Sequence, residues 1–89
     1  MPRIAFTRNL QRLVACPAAE LPGRTVREVL DGYFARHPVV RGYVLDEQGE
    51  VRKHVAVFVN GAQVADRRTL SDTIDDGAEI HVMQALSGG

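Results

Sequence analysis

A chain of 89 residues has room for one domain with a modest hydrophobic core and none for a multi-domain enzyme. Apolar residues at 45% and charged residues at 25% are the balance of an ordinary globular domain, not of a disordered tail. Lys plus Arg equal Asp plus Glu at 11 each, so no net field holds a phosphate backbone, and no apolar run is long enough to span a bilayer; nucleic acid and membrane are not expected partners.

Arg3-Ile4-Ala5-Phe6-Thr7 alternates in character and predicts a half-buried first strand. Leu13 to Glu20 is apolar enough for a second, but Pro17 lacks a ladder donor, so a short or edge strand ending near Leu21-Pro22-Gly23 is expected. Thr25-Val26-Arg27-Glu28 reads as a capping box, with the Thr25 hydroxyl accepting an early N–H and Glu28 reaching back to the Thr25 amide. Val26, Val29, Leu30, Tyr33 and Phe34 then recur at three- and four-residue spacing as the apolar stripe of the main helix, which His37-Pro38 ends.

Val39 to Leu45 reads as a short extended piece, and Asp46-Glu47-Gln48-Gly49 as a polar turn. His54-Val55-Ala56-Val57-Phe58-Val59 is the clearest strand, and Asn60-Gly61 after it supplies the positive φ angles of a type I′ hairpin, with Ala62 to Val64 returning antiparallel. Leu70 to Ile74 predicts a turn or one helical turn, Asp75-Asp76-Gly77 a tight loop, and Glu79 to Met83 a last alternating strand. Periodicity is lost from Gln84, which divides the chain into a domain over 1–83 and a flexible tail over 84–89. A capped helix laid across a mixed sheet of four to five strands is the α+β solution for a chain this short. Its first and last strands can pair in parallel at the centre, which projects the tail from one end of the sheet.

With this element order, Val51-Arg52-Lys53-His54-Val55-Ala56-Val57-Phe58-Val59-Asn60-Gly61, Asp75-Asp76-Gly77-Ala78-Glu79-Ile80 and, above all, the terminal Ser87-Gly88-Gly89, the chain resembles the small sulfur carriers of the ubiquitin-like β-grasp type (MoaD/ThiS-like). The resemblance covers nearly the whole chain. It implies that an E1-like adenylating enzyme activates the Gly89 carboxylate with ATP, and that a sulfurtransferase or sulfide source converts the adenylate to a thiocarboxylate. A sulfur-acceptor biosynthetic enzyme then takes the sulfur for molybdopterin, thiamine, cysteine or a similar product. On that reading the chain is a carrier and not an enzyme, binds no permanent cofactor, and leaves ATP to its partner. The resemblance implies that Gly88 and Ser87 thread the partner's channel, the reason for the glycines being that residues without side chains adopt extended and positive-φ conformations in a narrow passage that a Cβ would obstruct.

If Ile80 and Val82 face the helix, strand parity turns Met83 and Phe58 to the opposite sheet face, where together with Leu86 they form a docking patch; the alternative for Phe58 is that it completes the core. Cys16, the single cysteine, reads as a small buried hydrophobe, and His37, His54 and His81 lack metal-ligand spacing, so no metal site is expected. Arg52-Lys53 and Arg67-Arg68 read as a solvated face, with pairing to an acidic partner the sharper alternative. The absence of a charged n-region and long apolar stretch at Met1-Pro2-Arg3, together with the lone cysteine, is the pattern of a cytoplasmic protein. Two other functions stay open at this point: a ubiquitin-like modifier that ends as an amide on a target lysine, and a noncovalent interaction domain whose tail is incidental.

Overall fold

The computed structural model describes residues 1–84. Strand β1 (Arg3–Phe6), helix α1 (Arg8–Leu13), strand β2 (Ala19–Glu20), helices α2 (Val26–Arg36) and α3 (Pro38–Val44), and strands β3 (Val55–Val59), β4 (Ala62–Gln63) and β5 (Glu79–Gln84) follow one another along the chain. The five strands make one sheet in the order β2-β1-β5-β3-β4. β5 is its central strand, parallel to β1 through Arg3↔Glu79 to Phe6↔Val82 and antiparallel to β3 through Val55↔Gln84 to Val59↔Ile80. The parallel pairing of first and last strands anticipated from the element order is therefore present, and the two short strands lie at the edges, where little unpaired backbone is left exposed.

Side-chain parity then divides the sheet. Ile4, Phe6, Val55, Val57, Ile80 and Val82 are buried against one layer of helix, to which α2 contributes Val26, Val29, Leu30, Tyr33 and Phe34. The Phe6 and Tyr33 rings meet at 4.9 Å between centroids. Tyr33 is wholly buried, yet its hydroxyl donates to the Pro17 carbonyl at 2.7 Å, so the polar tip of a core residue ties the otherwise irregular 14–18 segment to the helix. Burial, and secondarily the neighbouring Cys16 thiol, pushes the Tyr33 hydroxyl up to about 12. Cys16 is itself buried, with its thiol raised by the same desolvation, in keeping with the reading as a small hydrophobe.

The structure corrects the sequence reading at several points. Val39 to Leu45 is not extended: α3 starts at Pro38, which occupies the first helical turn, where the missing N–H costs nothing, and Val40 and Val44 are buried at helical spacing. The proline that stops α2 thus also starts α3. Residues 8–13, for which no element was anticipated, form α1, with Leu10 as the one side chain it buries. Strand β2 is confined to Ala19–Glu20, beyond Pro17, as a missing donor dictates. The Thr25 hydroxyl does accept from the Glu28 amide at 3.2 Å, but the Glu28 carboxylate takes the Arg24 amide at 2.8 Å instead of that of Thr25. Finally, β5 includes Gln84, one residue beyond the boundary that loss of alternation suggested. The ladder to Val55 and the Thr7 hydroxyl, not side-chain alternation, keep Gln84 in the strand.

The turns between these elements are chemically specific. Asn60 and Gly61 have φ of 51° and 86°, the left-handed pair that a type I′ hairpin requires and that only Gly adopts freely. The Asn60 carboxamide oxygen also accepts from the Glu79 amide at 2.9 Å, fastening the hairpin to the start of β5. Asp66 accepts from the amides of Arg68, Thr69 and Ser71 and from the Thr69 and Ser71 hydroxyls. Those bonds, the Ser71 hydroxyl foremost, hold its carboxyl well below the usual carboxylate range.

Candidate functional site

The candidate site lies at the C-terminal end of β5. Its last residue, Gln84, pairs with Val55 of β3 on one side. On the other, Thr7 extends the parallel ladder beyond β1: its amide donates to the Val82 carbonyl at 3.0 Å and its hydroxyl accepts from the Gln84 amide at 3.3 Å. The strand is therefore gripped on both sides up to its final residue. The position of Gln84 is thus set by ladder bonds and the Thr7 hydroxyl rather than by a loop. Nothing in the sequence singled out Thr7 for this role.

Among the described residues, no helix covers the sheet face opposite α2. Phe58 is half-buried and pairs across the sheet with His81, while Ala56 pairs with Met83, which is 40% exposed. Phe58 therefore does not complete the core; with Met83 it faces outward, as strand parity anticipated. Both side chains line a groove of about 650 Å³ toward the Asn60 turn, and both line a second of about 300 Å³ at the C-terminal end of β5, with Lys53, His54, Arg67 and Gln84. Leu86, Ser87, Gly88 and Gly89 lie outside the described residues.

Arg52 and Arg67 are not merely solvated. The Arg67 guanidinium donates to the Arg52 carbonyl at 2.7 Å, and Arg52 donates to the Gly42 carbonyl at 2.8 Å, so both brace the segment that leads into β3. Arg68 pairs with Glu50 at 3.6 Å. Lys53, the chain's only lysine, and His54 are exposed and make no hydrogen bond or ion pair among the described residues. Among the described residues no group of three or more His, Cys, Asp or Glu could hold a metal ion, and no helix is long and apolar enough to cross a membrane.

The model of the ThiS family matches residues 10–89. The chain belongs to the ThiS family. Within this family of ubiquitin-like sulfur carriers, it is 34% identical over 65 residues to small archaeal modifier protein 3 of Haloferax volcanii, spanning 73% of this chain and 70% of that protein. The fold is matched over 100% of both chains, with a TM-score of 0.82 and 22% identity, in the crystal structure of the Amycolatopsis orientalis BexX/CysO complex. SAMP1 of Haloferax volcanii matches with a TM-score of 0.78 and 24% identity over 99% of this chain and 98% of its own. The architecture is thus the ubiquitin-like β-grasp, and the ThiS-family match takes in the Ser87-Gly88-Gly89 segment.

Proposed function

We propose that this ThiS-family protein is a cytoplasmic sulfur carrier whose reactive group is the Gly89 carboxylate. The observation that carries the reading is the C-terminal end of β5: a central strand bonded on both sides as far as Gln84, beside a sheet face bearing Phe58 and Met83, in a chain whose sequence closes on Ser87-Gly88-Gly89. The body docks through Phe58, Met83 and Leu86, Ser87 and Gly88 thread the partner's channel, and Gly89 presents its carboxylate.

The chemistry follows from the weakness of a carboxylate as an electrophile. A Gly89 oxygen attacks the α-phosphorus of ATP held by an E1-like enzyme, and pyrophosphate leaves. Sulfide, or sulfur delivered at that oxidation level by a sulfurtransferase, attacks the acyl carbon, and AMP leaves with the C–O bonding pair. The product is a thiocarboxylate on a short tether. Docking of the folded body brings that sulfur to an acceptor enzyme, where proximity replaces a bimolecular encounter. The carrier contributes no general acid, base or permanent cofactor to these steps.

A second reading, protein modification, is favoured by the 34% identity to a protein named as a modifier. It shares the adenylate and differs only in the nucleophile, a lysine amine in place of sulfide. Intact-mass spectrometry after incubation with ATP, sulfide and the cognate activating enzyme tests the first reading. The expected result is exchange of one oxygen for sulfur, localised to Gly89 and absent from a Gly89 deletion that still folds. Retained biological activity in that deletion would instead make the noncovalent body the working part.

A further inference from the structure

The chain is electrically neutral overall, but its charges are sorted along the central strand. At the start of β5 lie the exposed carboxylates of Asp75, Asp76 and Glu79, with Glu20 beside them on β2; opposing them are Arg3, in register with both Glu20 and Glu79, and the Met1 ammonium, 3.5 Å from Asp76. At the other end, beside Gln84, the groove between Phe58 and Met83 is rimmed by Lys53, His54 and Arg67 and, among the described residues, is lined by no carboxylate. Of the nearby acids, Asp46 shares a surface hollow with Lys53 and His54 and accepts from the Gln48 and Glu50 amides, Glu50 pairs with Arg68, and Glu47 is exposed on the same turn. Arg67 is held in place by its bond to the Arg52 carbonyl. The polarity is thus fixed to the direction in which β5 runs.

Given the carrier reading, on which this step rests, we infer that the activating enzyme meets the Gln84 end with an acidic rim around an apolar side chain. That side chain fills the groove of about 300 Å³ between Phe58 and Met83, and the carboxylates face Lys53 and Arg67. Such a partner attracts the Gln84 end and repels the end bearing Asp75, Asp76 and Glu79. A neutral carrier is thereby turned tail-first before contact, within a Debye length of about 8 Å at physiological salt. The apolar contact provides adhesion and the charges provide orientation, which is the usual division of labour at a charged rim.

The test is steady-state adenylation by the cognate activating enzyme, read by pyrophosphate release, with thermal melts confirming that each variant folds. Lys53→Glu is expected to raise KM about five- to tenfold with little change in kcat, and Lys53→Glu/His54→Glu to raise it further. High salt should shrink both effects, and Lys53→Arg should keep the wild-type KM. Asp76→Lys, at the far end, is expected to leave KM within about twofold of wild type or to lower it. Unchanged KM in the Lys53→Glu protein, with wild type adenylated normally, would overturn the acidic-rim inference while leaving the carrier reading intact. Failure of wild type to be adenylated by a verified cognate enzyme would overturn both. Head-to-tail self-association of wild type in sedimentation, lost in Lys53→Glu, would assign the polarity to a second copy of the chain and overturn the partner proposed here.

Discussion

The two faces of the sheet are built from the same three central strands and differ in almost everything else. On the covered face, Ile4, Phe6, Val55, Val57, Ile80 and Val82 are each at most 3% exposed. On the open face, one residue out of step, stand Ala5, Phe58, His81 and Met83. Because side chains alternate along a strand, a single register fixes both sets at once. A large apolar residue on the first face is there to be buried on folding. One on the second, left half-exposed in a chain with few aromatics, is surface that folding did not use. Stability and recognition are thereby assigned to interleaved positions, and substitutions should separate them.

The largest expected effect is on the covered side. Leu30 is wholly inaccessible on α2, and Leu30→Ala should cost about 2–5 kcal/mol by leaving a cavity between helix and sheet. For an 89-residue domain that is a large part of the total stability. Chemical denaturation should show the loss as a lower midpoint, while adenylation of the fraction that remains folded keeps the wild-type KM. A raised KM at full folding would break the division between the faces. Phe58→Ala should do the reverse, costing about 1 kcal/mol or less in stability, since Phe58 is only half-buried, and raising the KM for adenylation about tenfold. A Phe58→Ala protein that unfolds like Leu30→Ala would return this residue to the core.

How much of this was legible in the sequence follows the same division. Strand parity around Val55 to Val59 and Glu79 to Met83, the Asn60-Gly61 turn and the Thr25 cap are local signals, and each is realised in the fold. What was not legible depends on partners distant in sequence. Val39 to Leu45 looked extended because valines favour strands, yet tertiary burial of Val40 and Val44 against the α2 side made it helix. The Thr7 hydroxyl reaches Gln84 across 77 residues of chain, and the Arg67 guanidinium finds the Arg52 carbonyl across 15; neither leaves a periodic trace. Of the candidate site, the outward face of Phe58 and Met83 was legible from strand parity. The charge sorting was not, because Lys53 and Asp76 become opposite ends only once β3 and β1 flank β5.

A smaller effect sharpens the picture of how α2 is held over the covered face. Thr25→Ala removes the hydroxyl that accepts from the Glu28 amide and should cost about 1 kcal/mol. Glu28→Ala, which frees only an exposed amide of Arg24, should cost less. Equal losses for the two would mean that the Glu28 carboxylate, not the threonine, carries the cap.

Acid should then loosen the covered side selectively. The Asp66 carboxylate gathers the 66–71 loop, and the Arg27 side chain, from α2, donates to the Thr69 carbonyl at 3.1 Å and to the Gly49 carbonyl at 2.7 Å, so this loop is one of the helix's lateral ties. Hydrogen bonds from the Ser71 and Thr69 hydroxyls and amides lower the Asp66 pKa in the folded state. Its contribution is therefore fully present above the ordinary aspartate range and is lost as pH falls through that range toward the depressed folded value. Wild type should lose Tm more steeply than Asp66→Asn between about pH 4.5 and 2.5, the asparagine protein starting lower but falling along a shallower line. The groove toward the Asn60 turn, which no residue of this loop lines, should keep its structure through the early part of that transition, seen as unchanged His81 NMR shifts while those of Thr69 and Ser71 move. Parallel Tm curves for the two proteins would show that the Asp66 bonds persist in the unfolded chain or contribute nothing to it, and the loop would then be an ornament of the fold rather than a tie on α2.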